Sequence, residues 1–292
     1  MPATVGATLP VVNLGIVENK GYEIDLGYND HVGAFNYFVK ANLSFARNKR
    51  VFIDEPDAPH PWMRRTGERL DMFWGLQTMG FFNSQAEIDK WATSSYDPGA
   101  LGKLQPGDFR YKDQNGDGVI DVKDQVALRN PTVPEYIFGF SFGGSYKGFD
   151  FSALFQGADN TAMLVNLEAA YEFFNTGKVM DIHLNRWTPD NKENATYPRL
   201  SSSPSGTQHN YITNDYWLKD ASYVRLKQAE IGYTLPKSLI NKWRMKGVRV
   251  YLNGSNLYTW DKIKYLDPEN RNQRAWYYPQ QRVWSAGANI TL

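Results

Sequence analysis

The chain contains no cysteine, so disulfide bonds, zinc–thiolate sites and thiol catalysis are all excluded. Its 32 Lys and Arg residues nearly balance 31 Asp and Glu, which leaves a net charge of +1 and no basic field to attract nucleic acid. No apolar run approaches the roughly 18 residues that a membrane-spanning helix needs. A membrane β-barrel remains open as a class, because its strands carry only weak alternating signals.

Motifs of known catalytic chemistry are also missing. The sequence has no phosphate loop and no H-E-x-x-H. Its four histidines, His31, His60, His183 and His209, have no metal-ligand spacing. Carboxylates are plentiful, but none can be paired as acid and base from the sequence. We therefore expect a protein that is not an enzyme.

The N-terminal stretch MPATVGATLPVVNLG has neither the basic start nor the apolar core of a signal peptide. Export of a secreted or outer-membrane protein needs such a leader. We therefore expect either a chain that stays inside the cell or a piece of a longer precursor.

Strand-like alternation is the main pattern that the sequence does contain, in a chain with 18 Tyr, 16 Phe and 9 Trp. In YEIDLGYND, Tyr22 and Ile24 share one face while Glu23 and Asp25 share the other. About eight such strands are predicted, several longer than the usual half-dozen residues. The local signals also predict a hairpin turn in ENKG (18–21), a tight turn at Lys147-Gly148 and a bulge within 226–229.

Between the strands lie long irregular stretches at about 52–134, 158–221 and 259–281, with helical patterns at 84–92 and 164–175. Short turns that alternate with long loops are typical of outer-membrane barrels. The alternative is a secreted, calcium-stabilised β-sandwich that binds glycans. Aromatic residues on the strands fit both classes, either as a core or as the girdle of a barrel.

The run DQNGDGVIDVKD has the spacing of an EF-hand calcium loop, with Gly118 at the sharp turn and Ile120 as an inward apolar anchor. Pro106-Gly107 before it and Pro131 after it break the flanking helices that a sensor needs. We therefore expect a structural calcium site. Its predicted ligands are Asp113, Asn115, Asp117, the Val119 carbonyl, Asp121 and Asp124.

Several tryptophans lie in the predicted loops, where an indole ring could stack on a sugar or a peptide. Trp62, Trp74 and Trp187 are the candidates for substrate contact. For each of them taken alone, packing within its own loop is the simpler role.

Several runs, read in order, resemble the C-terminal part of the SusC/RagA family of TonB-linked outer-membrane receptors. The resemblance covers nearly the whole chain. The matching runs are NLGIVENKGYEIDL (13–26), GERLDMFWGLQTMGFFNSQAEI (67–88), PGDFRYKDQNGDGVIDVKD (106–124), PEYIFGFSFGGSYKGFDFSALFQG (134–157), NRWTPDNKENATYPRL (185–200), WLKDASYVRLKQAEIGYTLP (217–236) and GSNLYTWDKIKYLDPE (254–269).

This resemblance implies a barrel of about 22 strands with an N-terminal plug. It also implies a SusD-like lipoprotein that covers the barrel, and import of oligosaccharides or peptides powered through the TonB complex. Plug, TonB box and signal peptide are absent from this sequence, and about eight strands are too few for so wide a barrel. We therefore expect residues 1–292 to be the C-terminal part of a longer receptor.

The predicted fold class is all-β, an antiparallel transmembrane barrel segment with long extracellular loops. We expect the apolar strand faces to meet outer-membrane lipid and the polar faces to line the lumen. The predicted lumen residues are Glu23, Asp25, Lys40, Asn42 and Asn289.

Overall fold

The computed structural model describes residues 14–292 except 100, 129, 244, 264, 271 and 273. For residue 243 it describes the backbone alone. The prediction that the chain lacks a signal peptide concerns its N-terminal stretch, of which residues 1–13 lie outside this description. Seven long strands form one antiparallel sheet. They are β1 (Ile16–Val32), β2 (Phe35–Phe52), β3 (Tyr136–Tyr146), β4 (Phe149–Asp159), β5 (Tyr223–Thr234), β6 (Gly247–Asp261) and β7 (Val283–Thr291).

The order of the strands in the sheet is their order in the chain, so the sheet is a simple up-and-down meander. Every connection at one end is short or moderate. The tight turn predicted at Lys147-Gly148 is confirmed as a two-residue hairpin with positive φ at both residues. At the other end the connections are the long stretches 53–135, 160–222 and 262–282. The predicted alternation of short turns and long loops is therefore confirmed.

The predicted turn in ENKG is wrong, because β1 runs straight through it, with Asn19 opposite Asn48 and Gly21 opposite Ala46. A Cβ on Gly21 would lie 2.1 Å from the Phe45 carbonyl oxygen. Glycine therefore serves the close approach of two backbones here, not a turn. The predicted bulge is confirmed, since the pairing of β5 with β6 shifts between Leu226 and Gln228.

Short elements occupy the long connections and the turn region. The paired short strands are Trp74–Gly75 with Val126–Ala127, Thr78–Phe81 with Phe109–Tyr111, Thr93–Ser94 with Val119–Ile120, and Ala162–Leu164 with Leu218–Asp220. The helices are α1 (Gln85–Ile88), α2 (Lys237–Ile240) and 3-10 turns at Pro61–Met63, Val122–Asp124, Leu167–Ala169, Phe174–Thr176, Asp181–His183 and Asn241–Trp243. Among the described residues, no helix is long and apolar enough to cross a membrane.

The helix predicted within 84–92 is confirmed as α1, which Ser84 caps by accepting a hydrogen bond from the Glu87 amide. The helix predicted at 164–175 is wrong. Positive φ angles at Leu167, Phe173 and Asn175 break that segment into separate 3-10 turns. Its side chains are instead placed by tertiary packing, which overrides local helix propensity.

One face of the sheet is continuously apolar across all seven strands. Ile24, for example, lies opposite Leu43 on β2, and Ile231 on β5 lies opposite both Phe151 and Leu252. Large side chains on this face are exposed, including Leu26 at 64% and Ile231 at 55%. Exposed apolar area on this scale marks a surface that meets lipid or a partner rather than water.

Tyrosine and tryptophan side chains of the apolar face concentrate near its two ends, whereas phenylalanines such as Phe140, Phe142 and Phe155 lie in the band between them. Near the long loops lie Tyr22, Phe45, Tyr136, Tyr258 and Trp260, and near the short turns lie Tyr28, Tyr37, Tyr146, Phe149 and Tyr233. Neighbouring rings touch, with centroids 4.8 Å apart for Phe45 and Tyr136 and 4.4 Å apart for Phe149 and Tyr233. Two aromatic rows that flank an apolar band are the arrangement of a membrane barrel wall.

The opposite face is polar, and it carries Glu23, Asp25, Lys40, Asn42 and Asn289, the residues predicted to line the lumen. Near the short turns the Arg249 guanidinium pairs with the carboxylates of Asp150 and Glu230. The Arg249 side chain lies flat across Gly232, where a Cβ would collide with it. The two faces therefore differ in chemistry as the alternation predicts.

The apolar face gives a direct test at Ala153, whose neighbours across the strands are Phe142 and Ala229. A charge on the lipid side of a barrel costs about 2–4 kcal/mol near the bilayer midplane. Ala153→Lys should lower the free energy of unfolding by about that amount. Urea unfolding in lipid vesicles, followed by tryptophan fluorescence, measures the change.

The matched control is Ser152→Lys, one residue along β4 and on the polar face, where the new ammonium lies near Glu230. This variant should unfold like the parent protein. Equal losses for both variants would contradict the assignment of the two faces.

Candidate functional site

The three long connections, 53–135, 160–222 and 262–282, pack together into a single body that we call the loop layer. Its apolar core draws Leu76 and Phe109 from the first connection, Trp217 from the second and Ile263 from the third. All four side chains are at most 3% exposed. Loops of this length are therefore ordered by a core of their own, separate from the apolar face of the sheet.

Trp217 lies at the centre of the loop layer and is 1% exposed. Its ring is surrounded by five other aromatic rings, with centroid distances from 4.7 to 6.2 Å. The indole Nε1 donates a hydrogen bond of 2.8 Å to the carbonyl of Asn210. The surrounding rings are those of Phe109, Tyr171, Tyr197, Tyr211 and Tyr216.

Glu172 is fully buried beside this aromatic cluster. Its carboxylate accepts hydrogen bonds from the hydroxyls of Tyr197, at 2.7 Å, and Tyr211, and from the Ser201 amide at 2.5 Å. Burial, aided by the charge of Glu172, raises the pKa of both tyrosines well above the usual value, so they remain donors. No local sequence signal marks this cluster, because Glu172 lies within a segment whose pattern predicts a helix.

A second buried polar group joins the first connection to the second. The Arg199 Nε lies 2.5 Å from Asp108 Oδ1, and Asn210 donates to the same carboxylate at 2.7 Å. His209 bonds to the Phe109 carbonyl at 2.7 Å and to the Ser94 hydroxyl at 2.8 Å. Burial lowers the pKa of His209, which favours a neutral ring with a structural role.

Arg225 fastens the third connection to the sheet. It lies on the polar face of β5, where it is 2% exposed. Its guanidinium donates to Thr259 on β6 at 2.8 Å and to Asp267 at 2.9 Å, and lies 3.0 Å from a Glu269 carboxylate oxygen. The loop layer therefore contacts the face of the sheet that is expected to line the lumen.

The predicted calcium loop is an ordered turn held by hydrogen bonds among its own residues. Asp113 accepts from the amides of Gly116 and Gly118, at 2.7 and 2.9 Å. Both oxygens of Asp124 accept from backbone amides, those of Gln114 and Asp121, at 2.8 and 2.9 Å. Ile120 points inward as predicted and is 1% exposed.

Lys123 is a cation within this loop that the pattern of calcium ligands does not include. Its ammonium lies 3.4 Å from Asp117 and 3.6 Å from Asp121. Within the described part of the chain, no three Asp, Glu or His side chains converge on a space that could hold a metal ion. Calcium binding by Asp113, Asn115, Asp117, Val119, Asp121 and Asp124 stays a prediction.

The three candidate tryptophans lie in different surroundings and do not form one site. Trp62 donates from Nε1 to the Lys123 carbonyl at 2.8 Å and stacks on His60. Trp74 lies in a short strand beneath the guanidinium of Arg65. Trp187 is 9% exposed, and its indole donates to Asn83. A ring packed as Trp187 is offers little free face to a ligand.

A cavity of about 330 Å³ lies in the loop layer beside Trp217. Lys219 and Lys262 line it, together with Tyr197, Tyr216 and Tyr265. Neither lysine was identified from the sequence, where each is one of many cations in a loop. Only the folded layer brings them to the same cavity.

The comparisons with known proteins agree with this architecture. TonB-dependent receptor P26 of Formosa agariphila is 30% identical over 318 residues, which cover 100% of this chain and 31% of that protein. TonB-dependent receptor SusC of Bacteroides thetaiotaomicron is 28% identical over 293 residues, 95% of this chain and 27% of SusC. No family model matches the chain.

Among solved structures, that of the RagAB peptide importer in its open-open state superimposes with a TM-score of 0.68 and 25% identity. The superposition covers 100% of this chain and 30% of the solved one. The sheet and loop layer therefore match part of the barrel of an outer-membrane receptor. The chain is homologous over its full length to TonB-dependent receptors of the SusC/RagA type.

These relatives are outer-membrane transport proteins rather than enzymes, and the chain belongs at the outer membrane with them. The chain spans between 27% and 32% of the length of the curated relatives it matches.

The buried carboxylate of Glu172 gives a test of the loop layer. In Glu172→Gln an amide group replaces one of the acceptor oxygens and faces hydroxyl and amide donors. An unpaired buried polar group costs about 1–3 kcal/mol. Amide hydrogen exchange within 195–220 should therefore become faster in the variant. Glu193→Gln, at an exposed position, is the control and should leave the exchange rates unchanged. Unchanged rates in both variants would show that Glu172 does not hold the layer together.

Proposed function

We propose that the chain forms part of the barrel wall and the outer loops of a TonB-dependent importer of oligosaccharides or peptides. The observation that carries the proposal is a seven-stranded meander with an exposed apolar face, a polar face and loops attached to the polar side. Homology to importers along the whole chain supports the same function.

In this proposal further strands extend the sheet at its two edges, β1 and β7, and close it into a barrel of about 22 strands. Within the described residues neither edge strand has a second partner. An open edge in a membrane leaves backbone N–H and C=O groups without hydrogen bonds, which is costly enough to require closure. The force for transport comes from the TonB complex through a plug domain and a TonB box.

A SusD-like lipoprotein is the proposed partner on the outer side, above the loop layer. RagAB, the importer that the chain resembles in structure, is a peptide importer, which supports a peptide substrate, whereas the likeness to SusC leaves glycans as an alternative. The sandwich alternative is not supported. A sandwich needs two packed sheets, and the described residues form one large sheet and four of two strands each.

Deletion of the gene tests the import function. Cells that lack it should lose uptake of the oligomeric nutrient, peptide or oligosaccharide, that the parent strain imports. Their growth on the corresponding free amino acids or monosaccharides should be unchanged, which controls for general damage to the envelope. A protonophore should abolish uptake in the parent, since the proposed transport draws on inner-membrane energy. Normal uptake of every oligomer tested in the deletion strain would contradict the proposal.

We also propose calcium as a structural ion of the loop from Asp113 to Asp124, on the strength of its ligand spacing. A ligand that binds only the folded state stabilises it by about 2.7 kcal/mol at one hundred times its Kd. Calcium should therefore raise the melting temperature relative to a chelator, and Asp117→Ala should abolish that rise.

Lys123→Gln is the informative second variant. The Lys123 ammonium occupies the surroundings of Asp117 and Asp121, so its removal should tighten calcium binding and increase the thermal shift. Equal melting temperatures with calcium and with chelator, in both the parent and Lys123→Gln, would reject the site.

A further inference from the structure

The cavity beside Trp217 contains an ammonium group with an unusual environment. The Lys219 Nζ lies 4.0 Å from the centroid of the Tyr216 ring. No described carboxylate lies within ion-pairing distance of it. Lys262, which lines the same cavity, is paired with Asp220 at 2.6 Å. The cavity therefore has one neutralised cation and one that contacts only an aromatic face.

The position of Lys219 is fixed by the backbone. It lies in the short strand Leu218–Asp220, directly opposite Met163 in the paired strand. Two positions before Lys219 lies Trp217, whose ring packs within the aromatic cluster. The backbone that carries this ammonium group is therefore part of a paired strand rather than a mobile loop, which lowers the entropic cost of binding.

Burial lowers the pKa of Lys219 to about 8, and no neighbouring charge contributes to the shift. The protonated form at neutral pH therefore carries an unfavourable desolvation cost. A bound anion would offset this cost with a charge-assisted hydrogen bond. The cation is thus placed at a position where it favours an anionic ligand over water.

The lining of the cavity narrows the chemistry of that ligand. An ammonium group donates hydrogen bonds and accepts none. Among the remaining walls, Ile182 and the ring of Tyr265 offer accessible apolar surface, with the buried side chains of Ile263 and Trp217 behind them. A sugar presents many hydroxyl donors that need acceptors. A ligand with a carboxylate next to an apolar side chain fits better, because the carboxylate matches the Lys219 ammonium and the side chain matches the apolar wall.

We propose that the cavity centred on Lys219 binds the C-terminal carboxylate of a substrate peptide whose last residue is apolar. This proposal rests on the proposed import function and assigns a substrate class to one position in the loop layer. The carboxylate accepts from the Lys219 ammonium, and the terminal side chain packs against Ile182 and the ring of Tyr265, the accessible apolar surfaces of the lining.

The test measures binding of acetyl-Ala-Ala-Leu with a free carboxylate, against its C-terminal amide, to protein purified from outer membranes in detergent. Trp217 lines the cavity, so binding should change tryptophan fluorescence. The free acid should bind at least about tenfold more tightly than the amide, as expected for loss of one charge-assisted hydrogen bond. Equal affinities would overturn the proposal.

Lys219→Met keeps the apolar stem and removes the charge. The variant should lose about tenfold in affinity for the acid and little for the amide. Because the desolvation cost of the ammonium disappears, its melting temperature should equal or exceed that of the parent, which separates loss of binding from loss of folding. The matched control is Lys262→Met, whose ammonium is already paired with Asp220 and whose effect should be smaller.

The pH dependence gives an independent readout. Lys219 loses its proton as the pH rises through about 8, so affinity for the acid should fall between pH 7 and pH 9.5. Lys219→Arg, which stays charged, should keep its affinity over this range. The other titratable groups at the cavity are Lys262 with Asp220, whose pairing raises the lysine pKa, and Tyr197, Tyr216 and Tyr265, whose pKa values burial raises.

Two outcomes separate this site from the import function. Loss of peptide import in Lys219→Met cells, with import of other oligomers retained, supports the site. If peptide binding depends on Lys219 but deletion of the gene leaves all uptake intact, the proposed import function is rejected and the binding site stands. Binding of galacturonate through Lys219, with none of the peptide acid, would overturn the peptide assignment.

Discussion

Register between neighbouring strands is the constraint on which the rest of the structure depends. Side chains alternate with a period of two, so a slip of one residue would move every apolar side chain of a strand to the polar face. All six pairings keep the phase across the apolar band. The bulge in β5 preserves it, since Phe155 lies opposite Leu226 and Ala153 opposite Ala229 on the same apolar face, and the other register shift lies at the very start of β1, at Ile16. The apolar band, the aromatic rows and the polar lining all follow from this single property.

The loop layer obeys a different rule. Its segments have no period, and their order comes from a few buried groups that join distant parts of the chain. Glu172 collects donors from two tyrosines and a backbone amide, and Arg225 joins β5 to a connection more than forty residues further along. Each of these groups is costly when unpaired, so the layer is stable only when the partners assemble together. This cooperativity lets very long loops present fixed surfaces.

Local patterns in the sequence predicted the sheet well and the loop layer poorly, for physical reasons. Alternation and the Lys147-Gly148 turn are local signals, and both are confirmed. Gly21 was misread, because a glycine in a turn and a glycine beneath a neighbouring backbone look alike in a sequence. The helix expected at 164–175 failed because Tyr171 and Glu172 are held by partners far away in the chain. No single-sequence signal marks Lys219, whose environment exists only after the second and third connections pack together.

Buried charges of the loop layer therefore provide a way to separate structural from functional positions. Asp108 is matched by Arg199, Arg225 by Asp267 and Glu269, and Glu172 by hydroxyl donors. Each arrangement stabilises the layer without any ligand. Lys219 differs, since it is half-buried against an aromatic ring and has no described carboxylate beside it. Natural folds depart from local consistency mainly where function requires it. A cation that carries a desolvation cost in the free protein, in a layer whose fully buried charges all have partners, is best understood as part of a binding surface.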